Sequence, residues 1–256
     1  MAKGVSIKFQ NYEFSVPKIL NLIKLPDELK KHNTIILKPS LTNTSSLNTP
    51  AEFTESVLKY CLENKRPEAK ILIAEGSDGV DTEEVFEKFG YRSLAERYNV
   101  SLIDLNTSDV QEIQDGEFLK FDKIMYPSIL LNSFVISLPR LASDGELEMQ
   151  GSLSNMLGAF SASHYKGFFS KKKNKIRNWH MKYSIHDILK CKMPDLAIID
   201  ASEQGSILAG VPLHMDVQAA KLLGKEPKSI AHLKLVADSF SEYLQKQQES
   251  PQMPKQ

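Results

Sequence analysis

Five apolar runs in this chain stop at a charged side chain: Thr34–Leu37 at Lys38, Lys70–Ala74 at Glu75, Val100–Ile103 at Asp104, Phe134–Leu138 at Pro139-Arg140, and Leu196–Ile199 at Asp200. If these runs are strands of a parallel sheet, their tips share one edge, where α/β sheets bind ligands. Ammonium and guanidinium groups at that edge pair with carboxylate or phosphate. Carboxylates there serve as acid–base groups or hard-metal ligands. The expectation is therefore a crevice for a polar or anionic small molecule, with Lys38, Glu75, Asp104, Arg140 and Asp216 binding it. Asp216 joins the set from the helix pattern after Pro212, where a carboxylate in the first turn also suits the helix dipole.

A second constellation lies on the helix pattern His180–Lys190. At about 100° per residue, His180, Ser184 and Asp187 fall on one stripe that Cys191 continues, apart from the apolar stripe of Met181, Ile185 and Ile188. His180 and Asp187, with Asp200 at the sheet edge, are the candidate catalytic groups, His180 as the proton shuttle and Lys182 as a further cation. Such a stripe is also the ordinary outer face of an amphipathic helix. His186 lies six residues after His180, without the i, i+4 spacing of a zinc-protease helix, and His164 and His214 complete no ligand set. No metal site and no particular cofactor is indicated. Glycine patterns for phosphate binding and a GxSxG elbow are absent.

The elements that must position these groups alternate as β-α-β-α-β from Thr34 to Asp104, the signature of a mixed, mostly parallel sheet covered by helices. Thr49-Pro50 opens one helix as a cap, Asp81 and Glu84 open another, and Gly90-Tyr91 interrupts it. Phe118–Phe121 and Lys123–Met125 are weaker strand candidates. Ser229–Gln245 reads as a final amphipathic helix, which makes 1–245 a single α/β domain. The polar, Pro-containing tail at 246–256 is expected to be disordered.

Thirty-two basic residues balance 32 acidic ones, so no whole-protein field favours nucleic acid or a membrane as partner. No run approaches the roughly 20 apolar residues that span a bilayer. The start, MAKGVSIKFQNYEF, has no signal-peptide apolar region, and Cys61 and Cys191 cannot form a disulfide framework. A reduced, cytoplasmic protein is expected, with Cys61 buried on a helix among Phe53, Val57 and Leu58. The one basic cluster, KKKNKIR at 171–177, follows Phe168 and Phe169. An alternative function is accordingly a non-catalytic interaction protein that docks a macromolecular partner through the Phe168–Arg177 loop.

Several segments taken in order resemble the domain of unknown function 362 family: IILKPSL with Thr49-Pro50, AEG at Ala74–Gly76, Gly90-Tyr91, DLN at Asp104–Asn106, ISLPRL at Ile136–Leu141, GSLSNMLG at Gly151–Gly158, PDLAIIDA, and AGVPLHMDVQAAKLLG. The resemblance covers nearly all of residues 5–228. It implies an α/β fold whose motif loops form a polar crevice. Many members carry fused ferredoxin-type modules with iron–sulfur clusters, which two cysteines cannot build. The family reads Pro-Lys-x-Lys-x-His after the central strand; this chain reads Pro139, Arg140, Leu141, Ala142, Ser143, Asp144. The family's Gly-Pro-rich loop after the Asp200 strand is also shortened here to Ala201–Ser206. Both departures fall in the expected crevice and point to a different activity, or none.

Overall fold

The computed structural model describes residues 4–240. The chain runs through β1 (Gly4–Lys8), α1 (Tyr12–Leu22), β2 (Thr34–Pro39), α2 (Ala51–Asn64), β3 (Lys70–Glu75), α3 (Thr82–Lys88), α4 (Tyr91–Tyr98), β4 (Ser101–Asp104), β5 (Phe134–Leu138), α5 (Met181–Cys191), β6 (Leu196–Ala201), β7 (Ser206–Gly210), α6 (Pro212–Leu222) and α7 (Ala231–Ser239). The seven strands form one sheet in the order β1-β7-β6-β5-β2-β3-β4. From β6 across to β4 every pairing is parallel, whereas β7 is antiparallel to β6 and β1 to β7. The five-residue span between Asp200 and Ser206 explains the change of direction. It is too short for a crossover, so Ser202–Gln204 and Gly205, at φ 71°, turn the chain into a hairpin.

Alternation along the strands assigns each side chain to a face. Ile35, Leu37, Ile71, Ile73, Ile136 and Ile198 pack with Val16 and Ile19 of α1, Phe53, Val57 and Cys61 of α2, and Tyr91 and Leu94 of α4. Ile36, Ala74, Val135, Ala197, Ile199 and Leu208 pack on the other side with Ile185 and Ile188 of α5, Ala219 of α6 and Val236 of α7. Both faces are covered, which is why the strands read as unbroken apolar runs. Cys61 is fully buried.

Asp81 caps α3 as its spacing suggests, accepting from the Glu83 and Glu84 N–H groups, and Gly90, at φ 81°, separates α3 from α4. Thr49 does not cap α2. Pro50 holds the cap position, and the Thr49 hydroxyl accepts from Ser40 N (2.9 Å) and donates to Leu138 O (2.5 Å), stitching β2 to β5. The N-terminal strand and helix carry no unbroken apolar run, although Asn11 caps α1 through the Phe14 N–H at 2.8 Å. The last helix is described to Ser239; residues 241–256, and with them the expected disordered tail, lie outside the described residues.

Residues Phe118–Phe121 are not a strand, because Asp187 has taken their donors. Its carboxylate accepts from the backbone N–H groups of Leu119 (2.9 Å), Lys120 (2.8 Å) and Phe121 (3.1 Å), and from His186 Nδ1 at 2.7 Å. The neighbouring candidate Lys123–Met125 does fall on a strand, Ile124–Pro127, which pairs with Val110–Ile113 in a separate hairpin. Burial opposes ionisation of Asp187, but His186 and the three N–H groups hold its carboxyl below the usual range. Asp187 is thus a structural anchor between α5 and this loop. Replacing it with Ala should cost about 3 kcal/mol or more of stability in urea unfolding, because the loop's three donors lose a charged acceptor.

Candidate functional site

Strands β2, β3 and β4 follow one another to one side of the sheet, while β5 and β6 lie on the other side of β2. The order reverses between β2 and β5, and at such a switch point the loops leaving the two strand tips part and open a crevice. A cavity of about 330 Å³ sits there. Its walls are the Ser40–Thr44 loop after β2, Glu75–Gly79 after β3, the hairpin Ala142–Asp144 with Glu148–Gln150, the turn Gly151–Gly158, and Lys172–Arg177.

Glu75 lines the floor, and Lys38 is buried directly behind it. Lys38 is fully buried and Glu75 is 4% exposed, and Lys38 Nζ donates to Glu75 Oε2 at 2.5 Å and to Asn155 Oδ1 at 3.1 Å. The Asn155 amide returns two bonds, to Lys38 O (2.9 Å) and Ser137 Oγ (3.0 Å), so it locks the lysine to both strands at the switch point. Gly158 passes directly over the pair. A Cβ there would stand 2.6 Å from Lys38 Nζ and 2.8 Å from Glu75 Oε1, closer than any side chain tolerates. Lys173 closes the arrangement from above: its ammonium donates to Gly76 O (2.7 Å) and Gly158 O (3.2 Å), using two of its three protons. Asp78 accepts the Lys173 backbone N–H at 2.7 Å.

Desolvation dominates the electrostatics of the three groups. Burial lowers the Lys38 ammonium and raises the Glu75 carboxyl, each only partly offset by the other's charge. Burial likewise brings Lys173 down to about 8, against the attraction of Glu75 and Asp78. A carboxyl pushed up beside an amine pushed down has a small free-energy gap for proton exchange, which is the condition for general acid–base work.

Asp216 supports the site from below. It lies in the second turn of α6 rather than the first, is fully buried, and accepts from Ser152 N (2.7 Å) and Leu153 N (2.9 Å). It fixes the turn that carries Asn155 and Gly158. Gly151 packs so tightly on it that a Cβ would meet the carboxylate at 2.8 Å. Asp216 therefore positions the wall and does not line the cavity, and burial raises its carboxyl to about 7 despite the two N–H donors.

The remaining predicted residues are dispersed. Arg140 and Asp200 do share the sheet edge, as adjacent backbone partners, but they form a separate cluster outside the cavity lining. Arg140 donates to Glu203 at 2.5 Å, and Asp200 accepts from Tyr12 OH and from Ser202 N, each at 3.0 Å. Asp104 stands beside Glu75 in register, yet its carboxylate turns away to Asn106 N (2.9 Å) and Thr107 Oγ1 (3.3 Å). His180 is the exposed N-cap of α5, accepting from Lys182 N at 3.2 Å, and Lys182 lies over the Tyr183 ring. Neither reaches the cavity, and His180 and Asp187 form no acid–base pair.

Asn155, Gly158 and Lys173 were missed. The first two sit in the GSLSNMLG segment, whose close-packed Gly, Ser and Asn residues were the available signal. Lys173 was hidden inside the basic cluster, where nothing distinguishes it from its neighbours. That cluster is not uniformly solvated: Lys173 is fully buried, and Arg177 is paired with Asp78 (2.7 Å) and Glu146 (3.0 Å).

The fold and site define an α/β protein with a polar cavity at the switch point of a mostly parallel sheet. The chain belongs to the domain of unknown function 362 family, whose model matches residues 35–220. That span runs from β2 into α6 and contains every wall of the cavity. Asp144, where the family pattern has its histidine, lines the cavity. Among curated proteins no match is found. Among solved structures the chain resembles the lactate racemase apoprotein from Thermoanaerobacterium thermosaccharolyticum, at 16% identity and a TM-score of 0.54, over 86% of this chain and 57% of the racemase. The chain thus spans little more than half of that protein's length, and the likeness is one of fold.

Because the folded state binds the Asp216 proton more tightly than the unfolded chain, whose carboxyl titrates near 4, its contribution to stability is full below pH ~4 and is lost as pH rises through about 7. Urea unfolding from pH 5 to 8 should show the wild type losing stability relative to Asp216→Asn. A difference that stays flat or grows in the wild type's favour contradicts this.

Proposed function

We propose that this protein binds a small hydroxy or oxo carboxylic acid in the cavity at the β2–β5 switch point, with Lys173 holding its carboxylate and Glu75 exchanging a proton with it. The observation that carries this reading is the buried Lys38–Glu75–Lys173 arrangement beneath a cavity of small-molecule size. Buried ionisable groups with proton affinities moved toward one another are costly to maintain, and in a cleft they are candidates for a functional site.

The walls supply the rest of the recognition. Ser40, Thr42, Asn43, Thr44, Gln150 and Ser154 bring hydroxyl and amide groups suited to a ligand rich in oxygen. The wall carboxylates are engaged: Asp78 and Glu146 by Arg177, and Asp144 by the Glu146 and Leu147 N–H groups. Lys172 and Lys173 are left as the cations to meet an anion. The solved relative in fold is a lactate racemase by name, and lactate is a 2-hydroxy acid of the size this cavity admits. That likeness supports the substrate class without extending the racemase's reaction to this chain.

Titration calorimetry with lactate, glycerate and pyruvate provides the test. Binding of at least one acid is expected, weakened about tenfold or more in Lys173→Met, because an ion pair of this kind in a desolvated pocket contributes more than 1.4 kcal/mol. Affinity should also fall as pH rises through about 8, since the Lys173 ammonium that holds the anion is lost there. If no acid binds, or a folded Lys173→Met binds as well as the wild type, the reading is wrong.

A further inference from the structure

Phe168 and Phe169 are 95% and 97% exposed, whereas among the described residues no other exposed large apolar residue exceeds Phe14 and Leu22 at 52%. The two rings pack edge to face on each other, with centroids 4.8 Å apart, and stand at the tip of a short loop. That loop is built rather than slack. Gly167 N donates to Lys172 O (3.2 Å), Ser170 N to Gly167 O (3.3 Å), and Lys172 N to Ser170 Oγ (3.0 Å). Its base is fastened by Lys173, whose ammonium and backbone N–H reach Gly76, Gly158 and Asp78. Holding two aromatic rings in water at a fixed tip opposes the hydrophobic effect, so the tip is made for an apolar medium.

Charge identifies that medium. Residues 161–177 contain no acidic residue, although the chain as a whole is neutral. Lys166, Lys171, Lys172 and Lys175 flank the rings, are exposed, and are ion-paired with no carboxylate among the described residues. A convex tip of bulky rings ringed by ammonium groups matches the boundary of an anionic bilayer, where rings enter the acyl region and lysines meet the headgroups. A protein partner would need a deep pocket for two adjacent rings, whereas a bilayer needs none. We propose that the Gly167–Lys172 loop docks this protein on anionic phospholipid membranes. The absence of a spanning segment and the zero net charge, which argued against a membrane partner, describe the chain as a whole and do not bear on a local anchor. Among the described residues no helix is long and apolar enough to cross a membrane, and none is needed for docking of this kind.

The test is co-sedimentation of the full chain with phosphatidylcholine vesicles, with and without phosphatidylserine. Sedimentation with the phosphatidylserine vesicles, declining with added salt, is expected. Phe168→Ser combined with Phe169→Ser should reduce the bound fraction about tenfold or more, and Lys166→Glu with Lys171→Glu should do the same through charge alone. All four positions are exposed, so circular dichroism should show unchanged folding. The proposal is overturned if the wild type stays in solution with both vesicle types, or if the serine double variant sediments as the wild type does.

Discussion

The Lys38 ammonium and Glu75 carboxylate meet at 2.5 Å at the edge of the cavity, Lys38 fully buried and Glu75 nearly so, and the geometry around them follows from that contact. Taking both charges out of water costs several kcal/mol each, and losing either partner would leave the other uncompensated at a further cost of about 3–5 kcal/mol. Asn155 must therefore accept from Lys38 and tie it to both β2 and β5. Gly158 must lack a side chain so that its backbone can cross the pair. Asp216 must hold the turn that delivers both. An apolar pair would stabilise such a position as well or better, so a site reading explains its presence where a stability reading does not.

The same constraint explains how the cavity is assembled in this chain. Where the family pattern has a second lysine and a histidine after the central strand, this sequence has Ala142 and Asp144 in a hairpin wall. A second ammonium nevertheless reaches the site, delivered by Lys173 from a loop some thirty residues further on, between the carbonyls of Gly76 and Gly158. The shortened Ala201–Ser206 connection has a separate consequence. It turns β7 antiparallel and leaves Arg140 and Asp200 in their own cluster with Tyr12 and Glu203, outside the cavity lining.

The sheet was legible in the sequence because its strands are buried on both faces and therefore read as apolar runs ending in charge. That pattern located Lys38 and Glu75 at one edge. It could not locate β1, whose edge pairing leaves no such run, nor the direction of β7, which depends on loop length. Side-chain direction was the harder problem. Asp104 ends its strand as the pattern suggests, whereas Asp187 and Asp216 lie inside their helices, and each of the three is spent on backbone N–H groups of a segment distant in sequence or just beyond its own strand. Helical spacing placed His180 and Asp187 on one stripe without showing that the histidine ends in solvent and the aspartate under a loop. Lys173 was illegible for a related reason: five neighbouring cations look alike until one of them finds a pair of buried carbonyls.

The central claim is that the buried Lys173 ammonium, above the Lys38–Glu75 pair, meets the carboxylate of a small acid. Its most direct test is NMR observation of the lysine ammonium groups in protein carrying 15N at Nζ, titrated with lactate and pyruvate. A saturable shift of the Lys173 resonance, with the exposed Lys171 and Lys175 unmoved, is the result predicted. A Lys173 signal that stays fixed while only exposed lysines respond would contradict the account.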